Sequence, residues 1–147
     1  MQLIHGLDWG PFSKDKDGNL RRDIFICTFS IISRLVSSDG ELSPKELKLI
    51  DELMRKNLKL DDEKRKFVSQ VFNASRKSET EFRDFVVRYK ELLSDKKEMY
   101  NWLSEVLISL SQADGNFSDP EYRLIEEFFE ILDLDQKKLT KIKESNP

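Results

Sequence analysis

Two short segments of the chain carry carboxylates at matching places. Ser38-Asp39-Gly40-Glu41-Leu42-Ser43-Pro44-Lys45-Glu46 and Ala113-Asp114-Gly115-Asn116-Phe117-Ser118-Asp119-Pro120-Glu121 agree at Asp, Gly, Ser and Glu, and the match runs on through Leu49/Leu124 and Ile50/Ile125. Carboxylates clustered in loops suit a hard divalent cation such as calcium, which takes oxygen ligands. Asp39, Glu46, Asp114 and Glu121 are the candidate metal ligands. If the two segments pack about a pseudo-twofold axis, all four carboxylates approach one another.

The shared core, Asp-Gly-x-apolar-x-x-x-Glu, is the second half of an EF-hand loop, in which Gly makes the sharp turn and Glu closes the site. The first half is missing. With Gly40 and Gly115 at the turn, the leading ligand positions fall on Leu35 and Ser37, and on Leu110 and Gln112. A complete EF-hand is excluded, so a cation must draw further ligands from elsewhere. A plainer reading of the same residues is structural. Asp-Gly ends a helix with Gly in the left-handed region, and Ser43/Glu46 and Ser118/Glu121 form capping boxes for the next one. Spacing alone favours caps and turns over a metal site. Asp15-Lys16-Asp17-Gly18-Asn19 is the opposite half-match to an EF-hand; Ile24 stands where the closing Glu belongs, so the segment reads as a solvated turn.

Other chemistry has little support. Cys27 is the only cysteine and His5 the only histidine, which excludes an intramolecular disulfide framework, cysteine-rich zinc sites and paired histidine ligands. Cys27 lies within the apolar run Ile24–Phe29 and reads as a buried thiol. No nucleophile motif, phosphate loop or histidine constellation is present, so an enzyme is disfavoured. Among 147 residues, 25 basic and 28 acidic side chains are interleaved without long single-sign runs, which argues against a nucleic-acid surface. The longest uncharged apolar stretch, between Asp23 and Arg34, is too short to cross a membrane, and no signal segment is visible. A cytoplasmic chain is expected.

Helices must position these loops. With only 5 Gly and 4 Pro, a turn-rich sandwich or barrel is disfavoured. Residues 1–20 read as an irregular arm and residues 21–147 as one all-α domain, a compact bundle of about seven short helices. Apolar residues recur at helical spacing: Phe25, Phe29, Ile32 and Val36; Leu47, Ile50 and Met54; Phe67, Val71 and Ala74; Phe82, Phe85, Val86 and Tyr89; Trp102, Val106 and Leu110; Ile125, Phe128 and Leu132; Leu139 and Ile142. The first helix starts near Asp23. Asp61, Ser78 with Glu81, Asp95 and Asp135 serve as further caps. The matched pair becomes two helix–loop–helix units with other helices between them, and Leu58-Lys59-Leu60-Asp61 echoes Leu132-Asp133-Leu134-Asp135 after a slip of one residue.

The paired [Ala/Ser]-Asp-Gly-x-apolar-Ser-x-x-Glu units in an all-helical chain of this length resemble the TerB-like family, which includes tellurite-resistance TerB proteins and a domain of DjlA-type co-chaperones. The likeness runs from about Asp23 to Lys143. It implies a seven-helix, non-enzymatic domain tied to stress response or co-chaperone assembly, with an acidic surface that can hold a metal through Asp39, Glu46, Asp114 and Glu121. No J-domain His-Pro-Asp motif occurs. A protein partner is expected. An alternative function is a metal-independent helical adaptor that grips its partner in an apolar groove, motivated by ten Phe and two Trp, with Trp9 and Phe12 least explained by the helical period.

Overall fold

A computed structural model describes residues 4, 7–40, 42–94, 96–113, 115 and 117–145. It contains seven α-helices: α1 (Lys16–Val36), α2 (Pro44–Glu52), α3 (Asp62–Lys77), α4 (Phe82–Leu92), α5 (Lys97–Ser111), α6 (Asp119–Ile131) and α7 (Lys137–Ser145). No strand occurs among the described residues. The all-α expectation holds.

The central helix is α1, against which α3, α4, α5 and α6 all pack. Its core stripe, Phe29, Ile32, Leu35 and Val36, is almost wholly excluded from solvent. The second helix of each matched unit leans on the first helix of the other: α2 lies on α5, and α6 lies on α1 as well as α5. With this crossed packing the capping glutamates Glu46 and Glu121 are buried, while Asp39, Gly40 and Gly115 of the loops stay exposed.

Several expected boundaries and faces shift. The first helix begins at Lys16 rather than near Asp23, because the Asp15 side chain accepts the Gly18 N–H at 2.6 Å and caps it. The supposed solvated turn is therefore the first helical turn. A glycine is needed at position 18 for space, since a Cβ there would lie 2.3 Å from the Ser13 carbonyl oxygen. In α4 the cap is Glu81, not Ser78, with the Asp84 carboxylate accepting the Glu81 N–H at 3.3 Å. Ser78 instead follows the end of α3, where its carbonyl and that of Ser75 accept from Arg34. The cap expected at Asp95 lies outside the described residues. Leu47 is 52% exposed, because the inner stripe of α2 runs through Glu46, Ile50 and the following Leu53. In α5 the inner stripe is Tyr100, Leu103, Leu107 and Leu110, while Trp102 and Val106 are only half-buried.

The one-residue slip has a structural counterpart. Leu53–Asn57 form a π-helical turn that continues α2, closed by Leu58 N–H to the Leu53 carbonyl at 2.9 Å. Both units then end in the same clasp. Leu60 N–H reaches back to Met54, and Leu134 N–H to Phe129, each across a left-handed residue, Lys59 (φ 51°) or Asp133 (φ 56°). The first clasp encloses one residue more, and the wider turn accommodates it.

The N-terminal arm is anchored to this body. The Arg22 guanidinium, buried on α1, donates to the carbonyls of Leu7 (2.7 Å) and Asp8 (3.0 Å) and sits 5.1 Å from the Trp9 ring centre. Phe12 packs on Phe25 and Phe67. The arm's aromatics are thus occupied within the fold.

Candidate functional site

The two acidic loops are built alike. After α1, Gly40 donates its N–H to the Ser37 carbonyl (3.2 Å); after α5, Gly115 does so to Gln112 (3.0 Å). Both glycines have positive φ, 118° and 79°, and open space where a Cβ would stand. Conformation rather than room therefore calls for glycine. A serine then caps the following helix. Ser43 Oγ accepts the Glu46 N–H (3.1 Å) while Glu46 Oε1 accepts the Ser43 N–H (3.0 Å). In the second unit Ser118 Oγ accepts the Glu121 N–H (3.3 Å), and Glu121 Oε1 accepts from both the Ser118 N–H (3.3 Å) and hydroxyl (2.8 Å). Each box satisfies otherwise unpaired donors in the first turn. Ser43→Ala is expected to cost about 1 kcal/mol in urea unfolding.

These capping glutamates are not on the surface. Glu46 and Glu121 are each only 3% exposed, an uncommon place for a carboxylate. The Glu121 carboxyl is pushed up to about 7, first by burial; Ser118 opposes this, and Asp39 and Glu46 add to it by like-charge repulsion. The first unit's carboxylates thus act on the second unit's glutamate. Asp39 and Glu46 both lie within electrostatic reach of Glu121, Asp39 at the exposed end and the two glutamates buried. Asp114, like Glu41 and Asn116, lies outside the described residues. Among the described residues no group of three or more His, Cys, Asp or Glu side chains converges as a ready metal cage. The glutamates fit a hard cation in donor type, but a complete site needs ligands beyond those described, Asp114 first.

Cys27 is fully buried, and burial pushes its thiol up to about 12, so it is no nucleophile at neutral pH. His5 lies outside the described residues.

Sequence reasoning missed a second feature. A cleft of about 270 Å³ opens between α5 and the α2–π-turn segment. Leu49, Leu53 and Asn57 form one wall, Trp102, Val106 and Ser109 the other, and Glu52 and Glu105 stand at its edge. The half-match of Trp102 and Val106 to the helical period hid it, since both looked inward.

No described helix is long and apolar enough to cross a membrane. No solved structure matches the chain. Among curated proteins, the co-chaperone protein DjlA of Haemophilus influenzae is 23% identical over 111 residues, covering 75% of this chain and 38% of that protein. The chain therefore spans well under half the length of that relative. The family model described as tellurite resistance protein TerB matches residues 26–144, from the central helix through α7 and across both acidic loops. With the all-α fold and the paired capping boxes, that match assigns the chain to the TerB family.

Proposed function

We propose that this chain is a non-enzymatic interaction domain, associated with stress response or a co-chaperone, whose acidic loops bind a divalent cation such as calcium through Asp39, Glu46, Asp114 and Glu121. One observation carries the cation: Glu121 is buried where Asp39 and Glu46 raise the cost of its charge. A cation beside it relieves both burial and repulsion, so binding and deprotonation of Glu121 favour each other. Backbone carbonyls and water complete the 6–8 oxygens that calcium takes (about that number). The relative named as a co-chaperone supports a protein partner, and the interleaved charges favour protein over nucleic acid. A cytoplasmic setting fits the single buried thiol.

The test is a titration of metal-stripped protein with calcium, then magnesium and manganese, followed by backbone amide resonances. Saturable shifts centred on Gly40 and Gly115 are expected, tighter at pH 8 than at pH 5.5, and abolished by Asp39→Ala and by Asp114→Ala. An unchanged spectrum at millimolar cation (~10 mM) reduces the loops to helix caps.

The alternative of a metal-independent adaptor loses its first motive, because Trp9 and Phe12 pack onto α1 and α3. It keeps the cleft beside Trp102.

A further inference from the structure

In the register that matches Asp39 to Asp114, the α1 residues from Arg22 to Val36 have counterparts on α5. Cys27, Ser30, Ile31 and Arg34 are matched by Trp102, Glu105, Val106 and Ser109. Likewise, Glu127 and Phe128 of α6 match Glu52 and Leu53. On the α1 side, this stripe is covered. Helix α4 lies across α1 and α6, burying Phe82, Phe85, Val86 and Tyr89 along one face. The Tyr89 ring stands 6.5 Å from Phe128, and its phenol, pushed up mainly by burial, also feels Cys27. Arg88 fixes the same helix to Asp23 of α1 at 3.5 Å. Cys27, Ser30 and Ile31 are shut off from solvent as a result.

The matched stripe on α5 has no such cover among the described residues. There Trp102 and Val106 are half-buried, Glu105 and Ser109 are exposed, and the cleft runs beside them against α2 and the π turn. The trough that α4 fills between α1 and α6 thus has an open sister between α5 and α2.

We infer that this cleft receives an amphipathic, basic helix of a partner protein, seated on α5 and α2 as α4 is seated on α1 and α6. The occupant's spacing follows from α4, whose anchors fall at i, i+3, i+4 and i+7. Its charge follows from the edge of the cleft. Glu98 is the counterpart of Asp23, the residue that holds Arg88, and it is exposed. Glu52 has no ion pair among the described residues, and nearby Arg55 is taken by Asp51 at 2.8 Å. Among the described residues Glu105 meets only Lys138, with both side chains largely in water. An arginine or lysine on the incoming helix therefore finds Glu98 and Glu52 as partners. One detail differs from α4. Trp102 replaces the small Cys27, so the occupant carries a small residue where α4 carries Tyr89. A half-exposed Trp in the wall of a concave site is also a common anchor for binding energy. The inference rests on reading the chain as an interaction domain and is independent of the cation.

The test is a display library of helical peptides of α4's length, 11 residues, apolar at i, i+3, i+4 and i+7 and randomised elsewhere, panned on the full chain with chelator present. Binders enriched in Arg and Lys are expected, weakened roughly tenfold or more by Ser109→Trp, which fills the cleft from an exposed position. Val106→Arg is the second variant; its amide spectrum reports folding. Glu98→Lys with Glu52→Lys should remove the basic preference. No binders, binders indifferent to both cleft variants, or binders without a basic bias overturn the proposal. So does a dimer of the chain that Ser109→Trp dissolves, since the occupant is then a second copy. The chelator separates this result from the calcium titration, and either can fail alone.

Discussion

Replacing Glu121 by Gln is expected to stabilise the protein by up to about 3 kcal/mol at pH 8 and to change it little at pH 4. The folded carboxyl titrates near 7 rather than 4.5. Below 4.5 both folded and unfolded chains hold the proton. Between 4.5 and 7 the unfolded chain releases it while the folded chain keeps it, so this group's contribution falls as pH rises, then levels off above 7. Glutamine carries no charge yet keeps an oxygen for the Ser118 hydroxyl and N–H. Urea unfolding of wild type and Glu121→Gln across pH 4–8 reads the difference directly. A difference that stays flat with pH would show that the charge of Glu121 is not costly in the fold. If the loops bind calcium, adding it at pH 8 recovers part of the loss in wild type only.

The larger effect is expected at Phe128. Its ring is wholly buried and lies 6.5 Å from Tyr89 and 6.4 Å from Phe129, at the point where α4 crosses α6. Phe128→Ala should cost about 3–5 kcal/mol, as transfer energy and a residual cavity add. The denaturant midpoint should fall with an unchanged slope. A loss below about 1 kcal/mol would mean that α4 closes over the gap, and the seat of α4 would then be far softer than its burial suggests.

The parts of this molecule that could be read from sequence are those set by a few adjacent residues. Ser43-Pro44-Lys45-Glu46 and Ser118-Asp119-Pro120-Glu121 write their own caps, and both boxes form as expected. The four apolar positions of α4 also follow from their period, and all are buried. Errors arose where two local patterns overlap. Ser78 and Glu81 both head a Ser/Glu-type box, and only the end of α3 decides that Ser78 belongs to the earlier helix. Asp15 looked like part of a turn because Gly18 reads as a breaker, yet a glycine in the first turn is capped before it can fray. Non-local facts were out of reach. The convergence of Asp39 and Glu46 on Glu121 depends on α2 crossing to α5 and α6 to α1. The half-exposure of Trp102 depends on what fails to cover it, which no window of α5 records.

The π turn at Leu53–Asn57 bears on how such a chain tolerates changes in length. An α-helix advances about 100° per residue, so one added residue would rotate everything beyond it by more than a quarter turn. Leu58 and Leu60 would swing away from the interior, and α3 would enter the bundle with a different face turned to α1. The widened turn absorbs that rotation within five residues and hands the chain on in phase. An insertion or deletion at this place is therefore a local event, one that adjusts the diameter of a single turn and leaves the helix partners on either side undisturbed.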